Sequence, residues 1–148
     1  MSADEYFVDT NIFVRFLVRD SQKTFEECSA FFESLVDGHF SVCTSSSVIA
    51  EIHWLLKSYY KLEKRDIVDF VARALSMPHL GIDNRDEPMH ANTLFRDSSA
   101  KFIDALIASH PGIQDGSVAV VSYDRDFDKL GVRRLEPREV IKKTKRKG

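Results

Sequence analysis

The sequence has few of the residues that mark loops, disulfide frameworks and membrane segments. It contains 6 glycines, 4 prolines and 2 cysteines in 148 residues. None of its apolar runs approaches the roughly 18 residues that a membrane span needs. The acidic N-terminus has neither the cationic nor the apolar region of a signal peptide. We therefore expect a soluble, cytoplasmic protein with no membrane partner.

The cysteines and histidines lack the spacing of a zinc site or a disulfide framework. Cys28 and Cys43 each lie in an apolar pattern with no CxxC motif, so we interpret both as reduced core residues. The 5 histidines are scattered along the chain and include no HExxH motif. The donor types that zinc prefers are therefore not brought together by any local motif.

Motifs of other phosphate-handling enzymes are missing as well. The sequence has no P-loop, GxGxxG or GxSxG motif, so no glycine-rich loop is available to cradle a nucleotide phosphate. A phosphatase of the haloacid dehalogenase type needs a second aspartate two residues after Asp9, where Asn11 stands. The formal charge of −2 argues against binding of nucleic acid by bulk charge, although it permits a local basic patch.

What is present is the composition of a folded domain. Hydrophobic residues make up 43% of the chain and charged residues 30%, as in globular rather than disordered proteins. The length is enough for one domain with its own core. We predict a single domain over residues 1–141 and a basic C-terminal tail over residues 142–148.

Apolar patterns predict strands that alternate with helices. Strands are expected at residues 6–8, 40–44, 79–83, 118–122 and 132–135. The first is expected to be buried, and the fourth, which is apolar throughout, is expected to be a central strand covered on both faces. Such alternation favours right-handed crossovers. The predicted fold class is α/β, a three-layer α/β/α sandwich with a central parallel sheet of about five strands.

Helices are expected in the segments between these strands. The apolar spacing places them at about residues 10–18, 28–36, 48–59, 66–75, 88–95 and 99–109. Asp66 is expected to open the fourth helix, and Pro111 with Gly112 to terminate the sixth.

Asp9 follows the first predicted strand directly, at the edge where open α/β sheets bind their ligands. A carboxylate in such a place is costly unless it is paired or binds a cation. Glu51 and Asp104 both border the apolar face of a predicted helix, which favours a position inside a cleft. The alternatives are an exposed helix acid for Glu51 and a capping or solvated role for Asp104.

Asp124 lies just beyond the fourth predicted strand, with Asp126 and Asp128 in the same loop. Acids in such a loop also serve as turn residues, and we interpret Asp128 as a surface residue. Four acids that meet in one cleft repel one another and call for a cation. Carboxylate ligands suit Mg²⁺ or Mn²⁺, whose coordination a substrate phosphate completes. The pattern therefore indicates metal-assisted cleavage of a phosphodiester.

Four segments, in this order, resemble the PIN domains, and within them the VapC-type toxins of toxin–antitoxin pairs. They are Val8-Asp9-Thr10-Asn11, Ser47 with Glu51, Phe102 to Ala108, and Val120 to Phe127. The resemblance implies a parallel sheet flanked by helices and an endoribonuclease that depends on Mg²⁺ or Mn²⁺. It also implies a homodimer and a cognate antitoxin protein.

The resemblance assigns a role to each matching residue. Asp9, Glu51, Asp104 and Asp124 match the catalytic acidic quartet, in which Asp9, Asp104 and Asp124 hold metal and Glu51 is a ligand or a water-orienting base. The supporting residues are Asn11, which orients the acids, Ser122, where the family often has threonine, and Asp126, which shares or replaces the role of Asp124.

Two alternatives to a toxin remain open at this point. One is a PIN-type nuclease that acts in RNA processing outside toxin–antitoxin systems, and the other is a PIN-like module that binds RNA or protein without cutting. The tail is also open to two interpretations. Five of the residues 142–147 are basic, which fits either a disordered solubilising end or a segment that contacts RNA phosphates.

Overall fold

A computed structural model describes residues 4–146 of the chain. The fold divides between Met89 and His90 into two compact units, which we call unit 1 and unit 2 and describe separately. The single domain over residues 1–141 stays a prediction. None of the helices within residues 4–146 is long and apolar enough to cross a membrane.

Unit 1 contains a three-stranded parallel sheet and most of the helices. Its elements are β1 (Glu5–Phe7), α1 (Thr10–Leu17), α2 (Gln22–Val36), β2 (Ser41–Thr44), α3 (Ser46–Trp54), a π-helix (Leu55–Tyr59), α4 (Lys64–Leu75) and β3 (Leu80–Ile82). The strand order is β1-β2-β3, and Tyr6, Val42 and Leu80 lie side by side in the register. The helix α5 (Asp86–Asp97) contains the division between the units.

The core of unit 1 is built from the inner faces of α1 to α4 and from β2. Its most deeply buried side chains are Phe13, Phe32, Leu35, Val42, Ile49, Ile52, Leu56, Ile67 and Val71. This core borders three elements that carry candidate site residues. Val8, after β1, and Thr44, at the end of β2, are buried. Ser45 then caps α3. The polar residues that follow each strand are thereby fixed in place.

Unit 2 contains shorter elements around a second small core. They are α6 (Phe102–Ala108), α7 (Pro111–Gln114), β4 (Val120–Val121), α8 (Asp126–Lys129), β5 (Arg134–Leu135) and α9 (Pro137–Arg146). Strands β4 and β5 pair in parallel. Phe95 and Phe102 pack edge to face with ring centroids 6.4 Å apart, and Ala105 and Phe127 are buried with them.

The predicted α/β fold with parallel strand pairing is confirmed, with the five strands of the described residues divided between a three-stranded and a two-stranded sheet. The first strand, however, is not buried, since Glu5, Tyr6 and Phe7 are all exposed. Strand β1 lies at the edge of its sheet, where a strand has a neighbour on one side only.

The expectation for residues 118–122 is also wrong in part. Only Val120 and Val121 form a strand, and within residues 4–146 that strand pairs with β5 and no other. Val118 and Val121 are exposed, so the run is not covered on both faces. An apolar run shows that a strand can form, but its length and cover depend on partners elsewhere in the chain.

Several helix boundaries differ from the sequence expectation, and the largest difference is at α2, which begins at Gln22 rather than near residue 28. Helix α4 begins at Lys64 after an extended Glu63, so Asp66 lies in its first turn and does not open it. Pro111 begins α7, because proline is well suited to the first position of a helix. The helix before it ends at Ala108.

The basic C-terminal segment is helical as far as it is described. Helix α9 starts at Pro137 and continues to Arg146, so it includes residues 142–146, and a separate tail over residues 142–148 stays a prediction. An acid near its start, Glu139, and basic residues in its last turn complement the helix dipole. The remaining tail residues, Lys147 and Gly148, lie outside the described residues.

Candidate active site

Asp9 lies where the sequence predicts, between the end of β1 and the start of α1. Its backbone is extended, and its side chain caps the helix: Oδ1 accepts a hydrogen bond of 2.7 Å from the backbone N–H of Thr10. A carboxylate at a helix N-terminus is stabilised by the helix dipole. Asp9 is exposed, so its second oxygen can reach a ligand from solvent.

Glu51 is tied to this helix start through Thr10. The Thr10 hydroxyl donates a hydrogen bond of 2.8 Å to Glu51 Oε2, and Thr10 itself is buried. A second buried hydroxyl, that of Thr44, donates to the Val8 carbonyl at 3.0 Å and joins the ends of β1 and β2. Within unit 1, the structure therefore brings two of the predicted acids to a single threonine.

The role of Thr10 was not predicted from the sequence. Its only signal is its place in the triplet Asp9-Thr10-Asn11, where each side chain carries a polar group. The amide of Asn11, by contrast, is exposed and makes no hydrogen bond to any residue of the described range. That Asn11 orients the acids stays a prediction.

Unit 2 contains a cluster of three carboxylates. Asp104, Asp124 and Asp126 each present an oxygen, and these atoms all lie within 4.8 Å of one another. Asp104 comes from the first turn of α6 and is buried, whereas the other two belong to the loop between β4 and α8. Of the predicted acids, Asp104 and Asp124 thus lie together, and Asp126 lies with them.

Hydrogen bonds between residues two positions apart stabilise the loop that carries Asp124 and Asp126. The backbone N–H of Asp124 donates to Ser122 Oγ at 2.9 Å, and the N–H of Asp126 donates to Asp124 Oδ1 at 2.9 Å. The Asp126 carboxylate also pairs with Lys129 at 3.3 Å. Ser122 therefore contacts the backbone of Asp124, and its supporting role at the site stays a prediction.

The surroundings of Asp104 disfavour its ionised form. Burial raises the pKa of this carboxyl above its usual value, and the charges of Asp124 and Asp126 raise it further. Its Oδ2 is buried without a hydrogen-bond partner among the described residues. Such an atom is costly to leave unpaired, and a divalent cation would satisfy it while neutralising its neighbours.

The donor set fits a hard divalent cation. All three side chains of the cluster offer carboxylate oxygens, which suit Mg²⁺ and Mn²⁺ better than zinc. Neither nitrogen nor sulfur donors belong to the cluster. Asp9 and Glu51 lie in unit 1 and are described there; that all four predicted acids serve one ion stays a prediction.

A family model and a curated relative both match most of the chain. The sequence profile of the PIN domain matches residues 6–132. A protein of Aquifex aeolicus (strain VF5) named VapC ribonuclease is 29% identical over 132 residues, which cover 89% of this chain and 96% of that protein.

Two solved structures are similar over most of the chain. The first is that of Mycobacterium tuberculosis VapC20, described as a toxin that cleaves the sarcin–ricin loop; it is 19% identical, with a TM-score of 0.38, over 89% of this chain and 99% of its own. The second is VapBC2 from Rickettsia felis bound to a DNA fragment from its promoter, which is 19% identical with a TM-score of 0.37 and covers 90% of this chain and 98% of its own.

Proposed function

The chain belongs to the PIN-domain family, and from this premise we propose that it is an endoribonuclease that hydrolyses RNA phosphodiesters with the help of Mg²⁺ or Mn²⁺. The observation that carries the proposal is the cluster of Asp104, Asp124 and Asp126, in which a buried oxygen of Asp104 has no partner within the described residues. Three close carboxylates destabilise the fold unless a cation binds them. We therefore interpret the cluster as a cation-binding site rather than as a feature that stabilises the fold.

We assign Asp104, Asp124 and Asp9 to hold the ion, with Asp126 in support. These carboxylates would hold the ion, which would supply polarisation of the scissile phosphate and neutralisation of the charge that develops on it. Ser122 keeps Asp124 in place through the backbone bond described above. Asn11, exposed beside Asp9 in the first turn of α1, is assigned a supporting hydrogen bond to the acids or to substrate.

Glu51 is assigned to accept a proton from the attacking water. Thr10 donates to its Oε2, and its Oε1 has no hydrogen-bond partner among the described residues. Because the bond to Oε2 fixes the side-chain rotamer, Oε1 is held in one orientation. Glu51 is therefore positioned in advance to act as a general base. Water then attacks the phosphorus in line with the leaving oxygen, the P–O bond to that oxygen breaks, and the released oxygen takes up a proton from solvent.

We further propose that the protein is the toxin of a toxin–antitoxin pair, that it forms a homodimer, and that a cognate antitoxin protein binds it. The support is the likeness to the Aquifex aeolicus protein named VapC ribonuclease, which extends over almost the full length of both chains. A small neighbouring reading frame that encodes a DNA-binding protein would add to this support.

The test is cleavage of total cellular RNA with and without Mg²⁺ or Mn²⁺, with mapping of the ends produced. Asp9→Asn should abolish metal-dependent cleavage while circular dichroism stays unchanged, because asparagine caps a helix about as well as aspartate. Asp69→Asn, at an exposed aspartate of α4, is the matched control and should cleave normally. Full activity of the Asp9 variant would contradict the assignment.

A further inference from the structure

Trp54 lies on the surface of unit 1, one helical turn after Glu51. Helix α3 buries Ile52 and His53, while Glu51 and Trp54 lie on its outer side. Side chains three residues apart on a helix have Cβ atoms about 5–6 Å apart, so Trp54 and Glu51 are neighbouring positions on the surface of this helix. Although tryptophan is a residue that proteins usually cover, this one is 62% exposed.

We propose that Trp54 stacks on a base of single-stranded RNA and thereby holds the strand next to Glu51. This inference rests on the proposed ribonuclease function. Stacking suits single strands because every base has a π face, and an aromatic side chain on a positively charged surface binds them with little sequence preference. Trp54 is thus assigned to substrate binding.

The surroundings of the indole favour a nucleic acid over a second protein chain. Ser47, Glu51 and Ser58 are exposed on the same stretch of helix, so Trp54 has polar neighbours, and the other large exposed side chain nearby is the aromatic Tyr59. The core of a protein interface is depleted of charged residues and forms a continuous apolar patch. Exposed aromatic side chains among polar groups, beside a candidate catalytic carboxylate, instead resemble a stacking platform.

Local charge points to the same partner. The π-helix Leu55–Tyr59 follows Trp54 directly and ends in Tyr59, which is also strongly exposed. Residues 54–65 carry four basic residues and one acidic residue, in a chain whose overall charge is −2. All four of these basic residues are exposed. Cations of this kind attract RNA phosphates, and π-helices are frequent at functional sites.

The fluorescence of Trp54 gives a direct test, because it is the only tryptophan in the chain. The Asp9→Asn protein is titrated, without divalent metal, with a short single-stranded RNA of mixed sequence. We expect saturable quenching of the indole emission and protection from acrylamide. Binding of a labelled RNA, measured by anisotropy, without any change in the Trp54 emission would overturn the proposal. So would an emission that shifts with protein concentration alone, because a second copy of the chain would then cover the indole.

Kinetics provide a second, independent readout. Trp54→Ala should raise KM for RNA by about tenfold, the typical loss for one stacked base, and leave kcat within about twofold. Trp54→Phe should recover most of the loss, since phenylalanine retains a stacking face. Val36→Ala, at another exposed apolar position on a helix of unit 1, should leave both constants unchanged. An unchanged KM in Trp54→Ala would overturn the proposal.

Failure of the proposed function would look different. A wild-type protein that cleaves RNA, with Trp54 variants that behave like it, overturns stacking and leaves the ribonuclease intact. A wild-type protein that shows quenching by RNA but no metal-dependent cleavage supports stacking and overturns the ribonuclease. A protein that neither binds nor cleaves RNA overturns both.

Discussion

The hydroxyl of Thr10, in the first turn of α1, donates a hydrogen bond of 2.8 Å to the carboxylate of Glu51, which lies 41 residues further along the chain. The backbone N–H of the same threonine donates to Asp9 at 2.7 Å. One buried residue therefore contacts both candidate catalytic acids of unit 1. Because Thr10 is covered by the core, the contact fixes α3 to the end of β1 as well as orienting Glu51.

The first prediction concerns this contact. Thr10→Val removes the hydroxyl and keeps the branched shape of the side chain, so Glu51 loses the donor that orients it. We expect the single-turnover rate of RNA cleavage to fall by about tenfold. The free energy of unfolding should fall by about 1 kcal/mol, the usual contribution of one hydrogen bond, as measured by urea denaturation.

Thr44→Val is the matched control for the Thr10 variant. Thr44 is also buried, and its hydroxyl also makes one hydrogen bond, to the Val8 carbonyl at 3.0 Å, but this hydroxyl donates to neither acid. We expect a similar loss of stability and an unchanged cleavage rate. Equal losses of rate in the two variants would show that the Thr10 effect acts through stability, contrary to the prediction.

The second prediction concerns the buried acid of unit 2. Burial raises the pKa of Asp104, and the charges of Asp124 and Asp126 raise it further. The folded state therefore binds this proton more tightly than the unfolded state does. Without metal, the protein should lose stability as the pH rises from about 4, the ordinary aspartate value, through the raised pKa of the folded state.

Asp104→Asn should remove this loss. At neutral pH and without metal, we expect the variant to be more stable than wild type by roughly 1 kcal/mol, because no buried charge is left unpaired. It should also lose metal-dependent cleavage. Thermal unfolding with EDTA at several pH values measures the first effect. A variant less stable than wild type at neutral pH would contradict the prediction that the buried charge of Asp104 destabilises the metal-free protein.

Asp115→Asn provides a control in which the expected change in stability at neutral pH has the opposite sign. Hydrogen bonds from Ser117 lower the pKa of Asp115, so its ionised form stabilises the folded state. That contribution is present at neutral pH and is lost as the pH falls through the lowered pKa. The variant should therefore be slightly less stable than wild type at neutral pH, with unchanged cleavage.

The third prediction separates Asp124 from Asp126. Both lie in the carboxylate cluster, but Asp126 is partly neutralised by Lys129 at 3.3 Å, while Asp124 is fixed by the turn that begins at Ser122. We expect Asp126→Asn to weaken Mn²⁺ binding by about tenfold or less, as supporting residues do. Asp124→Asn should abolish binding that calorimetry detects. Equal losses, or the reverse order, would make Asp126 the fourth acid.

Much of the candidate site could be predicted because its signals are local. A short β-rich run that ends in an acid and is followed by a helix places Asp9 at a strand end, and the apolar spacing around Asp104 places it on a buried helix face. Both predictions depend only on residues close in sequence to the acid concerned. The same holds for the bounds of α1, β2 and β3, which lie within a residue or two of the expectation.

What could not be predicted depends on contacts between distant segments. Nothing near Thr10 or Glu51 in the sequence indicates that their side chains meet. The length of β4 and the exposure of β1 depend on which strands pair with them, and an apolar pattern does not specify its partner. The place of Asp126 beside Asp104 likewise follows from the fold of a loop.

The last prediction concerns the basic end of α9. Lys142, Lys143, Lys145 and Arg146 are exposed on this helix, and a variant with glutamine at all four positions keeps its length and helical propensity. If the helix contacts RNA, the dependence of log Kobs on log salt should become shallower by about 0.7 for each lost phosphate contact, which anisotropy measures in the Asp9→Asn background. Lys23→Gln, at an exposed lysine of α2, should leave the slope unchanged. A quadruple variant with the original slope and lower solubility would assign the helix to solubility alone, because charges that do not touch phosphate release no counterions.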